Sequence, residues 1–127
     1  MKPTIYAVDF DGTLCENKYP EIGEANERLF EYLSIRKEFG DEIILWTMRE
    51  GVKLDEAVAW CKEHGLIFDA INDNLPRMKG FYGNNPRKVY ADYYIDDHNM
   101  ANDFLVGMND ARGVLPYHSM EWYGKQF

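Results

Sequence analysis

The stretch that decides the fold is TIYAVDFDGTL, residues 4–14. Its first part, TIYAVD, carries consecutive rather than alternating apolar residues, a pattern typical of a strand buried on both faces of a parallel sheet. The strand runs directly into Asp9, and Asp11 and Gly12 follow. Charged groups are costly at the end of a buried strand. The stretch therefore indicates that the two carboxylates serve a function.

Strand and helix patterns alternate along the rest of the chain, which predicts right-handed crossovers and a sheet covered on both faces. We therefore expect an α/β fold, a three-layer Rossmann-like domain with a mainly parallel sheet and no cap domain, formed by residues 1–127 as a single domain. The predicted elements are strands at 4–9, 42–47, 66–72 and 90–96, helices at 20–40 and 52–65, a loop with at most one helical turn at 73–88, a short helix in MANDFLVGM and a short edge strand in GVLPY.

Composition and charge narrow the class of protein. The chain has 127 residues, of which 46% are hydrophobic, enough for one core. Its formal charge of −8 argues against nonspecific binding to nucleic acid, which needs clustered Lys and Arg. The two cysteines, Cys15 and Cys61, form neither a disulfide framework nor a zinc spacing. With no signal-peptide pattern and no apolar run of membrane-spanning length, the sequence predicts a cytoplasmic protein without a membrane partner.

Polar residues follow the predicted strands at the point where each strand ends. Asp9 ends the first strand, Thr47 the second, residues 72–74 the third, and Asp96 and Asp97 the fourth. In parallel α/β sheets the binding site lies beyond the carboxyl ends of the strands. Crowded carboxylates repel one another, and a hard cation with oxygen ligands relieves that repulsion. The pattern predicts a Mg²⁺ site that also binds phosphate.

The residue types at this edge suit phosphoryl transfer. A carboxylate such as Asp9 can attack phosphorus and form an aspartyl-phosphate. Asp11 can protonate the leaving group and then activate water. Gly12 lets backbone N–H groups approach a phosphate, and the Thr47 hydroxyl can donate to a phosphate oxygen. A lysine is also needed to balance the charge on the transferred group.

Three of these stretches resemble motifs of the haloacid dehalogenase superfamily of phosphohydrolases. DFDGTL at 9–14 is similar to the first motif, LWTMR at 45–49 to the second and YYIDDHN at 93–99 to the fourth. The third motif is a single lysine, for which we predict Lys88, with Lys79 as the alternative. The resemblance spans roughly residues 4–98.

The resemblance implies a role for each acid. Asp9 is expected to be the nucleophile and a metal ligand, and Asp11 the acid/base that binds metal through its backbone carbonyl. Asp97 is the expected direct ligand, with Asp96 a second candidate. Arg49 is predicted to contact the substrate, with a surface ion pair to a glutamate as the alternative. The residues predicted to bind the substrate are Gly12, Thr13, Arg49 and Asn74, and those predicted to be catalytic are Asp9, Asp11, Thr47 and Lys88.

The short spacings between motifs leave no room for a cap domain, so the chain resembles capless members. Such members act on large substrates or close the site with a neighbouring subunit. A homo-oligomer is therefore one of the assemblies that the resemblance allows. The predicted function is a Mg²⁺-dependent phosphatase acting on a small phosphorylated metabolite or nucleotide. Alternatives are a phosphatase for nucleic-acid ends or phosphoproteins, and a non-catalytic metal and phosphate-binding module. A receiver-type signalling domain fits less well, because the second strand ends in Thr47 without an aspartate.

Overall fold

The computed structural model describes residues 2–98, and the residues up to Ile95 form one compact unit. The predicted helix in MANDFLVGM and the predicted strand in GVLPY lie outside the described residues, so a single domain over 1–127 stays a prediction. The elements in chain order are β1 (Ile5–Val8), β2 (Cys15–Lys18), β3 (Glu21–Ala25), α1 (Glu27–Glu38), β4 (Glu42–Leu45), α2 (Gly51–Glu63), β5 (Ala70–Ile71), α3 (Pro76–Tyr82) and β6 (Tyr93–Ile95).

Within residues 2–98, the main sheet has four parallel strands in the spatial order β5-β4-β1-β6. Val8, the last residue of β1, lies opposite Leu45 of β4 on one side and Ile95 of β6 on the other. The predicted α/β class with a parallel sheet is therefore confirmed. The winding reverses beside β1, because β4 and β5 extend from one side of this strand and β6 from the other. Ligand crevices in doubly wound sheets lie at such a reversal.

Both faces of the sheet are covered. Tyr6 and Val8 of β1 pack in a core with residues of α1 and α2. Ile5 and Ala7, on the opposite face of the same strand, pack with Met78 of α3. Because successive side chains of a strand point to opposite faces, the consecutive apolar run of β1 builds both cores, as predicted.

The predicted helix at 20–40 is wrong in its first third. Residues 21–25 form β3, which pairs antiparallel with β2, and α1 begins at Glu27. Asn26 caps α1, since its side-chain oxygen accepts a hydrogen bond from the Leu29 N–H at 3.3 Å. The two strands of the hairpin approach each other closely at position 23, where only a glycine fits. A Cβ on Gly23 would lie 2.4 Å from the carbonyl oxygen of Glu16.

We expect Gly23→Ala to lower the free energy of unfolding by about 1–3 kcal/mol, because the added methyl group overpacks the hairpin. Gly80→Ala is the matched control. Gly80 lies in α3, and a Cβ added there would meet nothing within 4 Å, so an alanine should be neutral or stabilising. Urea denaturation of both variants checks this. Equal stability of the two variants would contradict the packing described for the hairpin.

Residues 73–88 contain more helix than the predicted single turn. The helix α3 runs for seven residues, from Pro76 to Tyr82. Proline is favoured at the first helical position, and Gly83 ends the helix at φ 74°. The predicted helix at 52–65 is confirmed as α2, whereas the strands β1, β4, β5 and β6 are shorter than predicted.

Among residues 2–98, no helix has the length and apolar character needed to cross a bilayer. The cytoplasmic location stays a prediction.

Candidate active site

Asp9 is held at the carboxyl end of β1 by the neighbouring strand and by the turn that follows. Its N–H donates to the carbonyl oxygen of Ile95 at 2.9 Å, and the Thr13 hydroxyl donates to its Oδ2 at 3.3 Å. The turn is closed by the N–H groups of Thr13 and Leu14, which both donate to the Phe10 carbonyl. Gly12 has a φ of 89°, in the region that favours glycine. The first predicted motif is thus a rigid turn that presents Asp9.

Asp96 and Asp97 continue directly from β6. Because Ile95 lies opposite Val8, the chain segments that follow β1 and β6 leave the sheet at the same edge. Asp9, Asp96 and Asp97 are all half-buried, and each offers a carboxylate oxygen that lies within 4.8 Å of the other two. Such a set of oxygen donors fits Mg²⁺, a hard cation. The predicted convergence of these three acids is therefore present.

Asp11 forms a two-pronged ion pair with Arg49. The Arg49 Nε donates to Oδ2 at 2.8 Å, and Nη2 donates to Oδ1 at 2.8 Å. The side chain of Arg49 is only 1% exposed, whereas that of Asp11 is 18% exposed. The hydrogen bonds to Asp11 raise the pKa of Arg49 above its usual value. Arg49 thus pairs with Asp11 rather than with a surface glutamate, and its contact with substrate stays a prediction.

Arg49 also contacts the hairpin and α2. Its Nη2 donates to the Glu21 carbonyl at 3.0 Å, and its Nη1 donates to the Lys53 carbonyl at 3.4 Å. The guanidinium carbon lies 4.9 Å from the ring centre of Phe10 and 5.0 Å from that of Tyr19. No sequence pattern signals these carbonyl contacts, because a backbone carbonyl is the same for every residue type. Pro20, a residue type that favours turns, is a sequence signal consistent with the hairpin.

Thr47 lies two residues beyond β4, where Asn72 fixes it. The Thr47 N–H donates to the Asn72 side-chain oxygen at 2.7 Å, and the Thr47 hydroxyl accepts from the Arg49 N–H at 3.1 Å. A hydroxyl that accepts one hydrogen bond still has its own proton to donate. Thr47 therefore keeps the donor that binding of a phosphate oxygen requires.

Asn74 is buried and holds the segment after α3. Its amide nitrogen donates to the Asn85 side chain at 2.9 Å and to the Pro86 carbonyl at 3.1 Å, while its oxygen accepts from the Tyr90 N–H at 2.7 Å. Both amide hydrogens are thus used within the chain. The structure gives Asn74 a role in fixing this loop, and its predicted contact with substrate stays a prediction.

The two candidate lysines lie in different surroundings. The Lys79 ammonium donates to the Asp73 carboxylate at 2.8 Å, and this hydrogen bond is the main reason that the pKa of Asp73 is lowered. Lys88 is exposed, and its ammonium lies 5.6 Å from the ring centre of Tyr94. Lys79 is thus engaged in an ion pair, and the assignment of Lys88 to the third motif stays a prediction.

Cys15 lies close to the turn but is not suited to nucleophilic work. It is buried, and burial raises the pKa of its thiol to about 11. The thiol is therefore protonated at neutral pH, whereas the nucleophilic form of a cysteine is the thiolate. Cys15 packs in the core between β2 and the sheet.

Comparison with known proteins identifies a relative of known structure. No protein-family model and no curated protein matches the chain. A solved structure, that of a conserved protein encoded by a locus in Bacteroides thetaiotaomicron, is 38% identical and superposes with a TM-score of 0.69. The match covers 88% of this chain and 92% of that one. The chain therefore belongs to the same family as this conserved Bacteroides thetaiotaomicron protein.

Proposed function

We propose that the protein is a Mg²⁺-dependent phosphatase that hydrolyses a phosphomonoester through an aspartyl-phosphate, in the manner of the haloacid dehalogenase superfamily. The observation that carries the proposal is the placement of Asp9 at the carboxyl end of the central strand, within 4.8 Å of the carboxylate oxygens of Asp96 and Asp97. Asp11 follows two residues later in a rigid turn. A nucleophile, an acid/base and a cation site are thereby supplied by neighbouring segments.

The reaction has two steps. In the first, an oxygen of Asp9 forms a bond to phosphorus while the bond from phosphorus to the ester oxygen breaks, and Asp11, which starts this step protonated, gives its proton to the departing oxygen. In the second, the Asp11 carboxylate takes a proton from water as that water attacks phosphorus and the bond from phosphorus to the Asp9 oxygen breaks. Inorganic phosphate is released, the Asp9 carboxylate is regenerated, and Asp11 is again protonated for the next turnover. The Thr47 hydroxyl donates a hydrogen bond to a phosphate oxygen.

The carboxylates of Asp9, Asp96 and Asp97 would hold the magnesium ion, with the backbone carbonyl of Asp11 as a further candidate ligand. When bound, the ion neutralises charge on the phosphoryl group and on the clustered acids. Asp9 and Asp97 have different roles in this arrangement: both would bind the ion, but only Asp9 forms a bond to phosphorus.

The charge of the chain guides the choice of substrate. With 22 acidic against 14 basic residues, the protein repels polyanions at long range. We therefore favour a small phosphorylated metabolite or nucleotide over nucleic-acid ends. A non-catalytic metal and phosphate-binding module is the second candidate, favoured by the fact that both oxygens of Asp11 accept hydrogen bonds from Arg49. Phosphate release separates the two, because a binding module releases none.

The test is a phosphate-release screen over metabolites, nucleotides and oligonucleotide ends, with Mg²⁺ and with a chelator. We expect release from at least one small ester, and only when Mg²⁺ is present. Asp97→Asn should raise the Mg²⁺ concentration needed for half-maximal release by about tenfold or more, since even indirect ligand partners contribute about 10–100-fold to metal affinity.

Asp55→Asn is the matched control, because it removes the same charge from an exposed position on α2. It should leave the Mg²⁺ dependence unchanged. Turnover that persists in chelator, or equal Mg²⁺ dependence in Asp97→Asn and wild type, would contradict the metal assignment. No release from any ester would shift the assignment to the binding module.

A further inference from the structure

We propose that Arg49 is a positioning residue that orients the Asp11 carboxylate for proton transfer and ties that orientation to the β2–β3 hairpin. The inference rests on the proposed function, because it assumes that Asp11 is the acid/base. It replaces the expected role of Arg49 as a direct ligand of the substrate.

The contacts of the guanidinium leave little for a substrate. Four hydrogen bonds run from it, two to the Asp11 carboxylate and one each to the carbonyls of Glu21 and Lys53. An arginine side chain has five N–H donors, so most of its capacity is used. The side chain is 1% exposed. A phosphate could reach Arg49 only by displacing partners that belong to the fold.

Two hydrogen bonds restrict the orientation of the Asp11 carboxylate. Nε and Nη2 of Arg49 each lie 2.8 Å from a different oxygen of Asp11, and such two-pronged contacts are more specific in geometry than a single hydrogen bond. A carboxylate has about four lone-pair sites, and the ion pair occupies two of them. The Asp11 side chain is still 18% exposed, so the ion pair does not close it off from a leaving group.

The Arg49 guanidinium also binds the β2–β3 hairpin. The Glu21 carbonyl belongs to β3, and the ring of Tyr19, at the hairpin turn, packs on the guanidinium as the ring of Phe10 does. A displacement of the hairpin would therefore disturb Arg49, and through it the orientation of Asp11. Proton transfer requires that orientation, because misplacement of a catalytic group by about 1 Å can lower a rate about 10²-fold.

Arg49→Lys tests the inference, since lysine keeps the positive charge but cannot make the two-pronged contact. Two esters of similar size are compared, p-nitrophenyl phosphate and phenyl phosphate. The p-nitrophenolate leaves without much help from an acid, whereas phenolate needs the proton of Asp11. We expect kcat/KM to fall about 10²-fold for phenyl phosphate and less than about tenfold for p-nitrophenyl phosphate. The change should arise mainly in kcat for phenyl phosphate.

Two further variants complete the design. Arg77→Lys is the control, because Arg77 forms an exposed ion pair with Glu42 at the start of β4, the end of that strand remote from the site. In Arg77→Lys, kcat/KM for phenyl phosphate and for p-nitrophenyl phosphate should stay at the wild-type level. Tyr19→Ala removes an exposed ring from the guanidinium, so it should fold even if Arg49→Lys does not. It should lower the rate for phenyl phosphate more than that for p-nitrophenyl phosphate, by a smaller factor than Arg49→Lys.

Each other outcome overturns the inference. If each of the variants Arg49→Lys and Tyr19→Ala lowered kcat/KM by the same factor for both esters, Arg49 would have a purely structural role. A raised KM with an unchanged kcat would make Arg49 a substrate ligand. If the wild type hydrolysed neither of these two esters and no ester in the phosphate-release screen, the proposed function would fall, and this inference with it.

Discussion

Asp9→Asn is expected to lower the hydrolysis of p-nitrophenyl phosphate by about 10⁴-fold or more, the scale on which loss of an attacking nucleophile lowers turnover. An amide oxygen is a poor nucleophile, and an asparagine cannot form an acyl phosphate. The fold should remain, because the asparagine oxygen can still accept the hydrogen bond that Thr13 donates to Asp9. Release of p-nitrophenol measures the rate, and circular dichroism measures the fold.

The stability of this variant gives a second readout. Asp9 lies in a cluster with Asp96 and Asp97, and like charges at such short distances repel one another. Removal of one charge should therefore leave the melting temperature in chelator unchanged or higher than that of the wild type. The Asp55→Asn control should retain wild-type rates. Turnover at the wild-type rate by Asp9→Asn protein would rule out the mechanism.

Asp11→Asn is expected to lower steady-state turnover by about 10²–10⁴-fold, the usual contribution of a general acid/base. The rate of the second step should fall most, because the attacking water then has no base to take its proton, whereas p-nitrophenolate still leaves readily in the first step. A rapid burst of p-nitrophenol, equal to the amount of enzyme, should precede the slow phase. Stopped-flow absorbance measures the burst. Steady-state rates equal to those of the wild type would contradict the role of Asp11.

The ion pair with Arg49 predicts how stable these variants are. Asparagine still offers the buried guanidinium one oxygen, so Asp11→Asn should lower the free energy of unfolding by about 1–3 kcal/mol. Asp11→Ala offers none, and a buried charge that loses its partner costs about 3–5 kcal/mol. Urea denaturation compares the two. If Asp11→Ala were as stable as Asp11→Asn, the pair would contribute nothing through its hydrogen bonds.

The main sheet and its carboxyl edge were predictable because they depend on local patterns. Consecutive apolar residues in β1 mark a strand buried on both faces, and the acids that end it mark the edge where a site forms. In parallel sheets these ends lie at the same edge whatever the order of the strands, whereas the closeness of Asp9 to Asp96 and Asp97 also depends on β1 and β6 being neighbours. The positions of Asp9, Asp96 and Asp97 relative to the strands followed from this rule alone.

The hairpin and the Arg49 contacts depend on tertiary structure instead. Ile22 and Ala25 continue the helical spacing of α1, so periodicity favoured a helix where β3 forms. The close approach of the two strands at Gly23, beside the Glu16 backbone, is a tertiary feature that no periodic pattern encodes. Asp11 and Arg49 are separated by 38 positions, and the pairing of β1 with β4 brings them together.

The helix α3 was missed for a different reason. The Gly, Pro and Asn content of residues 73–88 favoured a loop and outweighed the start and end signals of the helix, Pro76 and Gly83. Both signals are valid, since Pro76 occupies the first helical position and Gly83 has the left-handed conformation that ends a helix. Composition is therefore a weaker guide to this segment than the two positions that bound it.

The most direct test of the mechanism is chemical trapping of the phosphorylated carboxylate. Asp11→Asn protein is mixed with p-nitrophenyl phosphate and Mg²⁺, quenched in acid and reduced with borohydride, which converts an aspartyl-phosphate to homoserine. We predict homoserine at position 9, found by mass spectrometry of the peptide, and none when substrate or Mg²⁺ is omitted or when Asp9→Asn is also present. Homoserine at another aspartate, or an unmodified Asp9 in protein that releases phosphate, would contradict the aspartyl-phosphate mechanism.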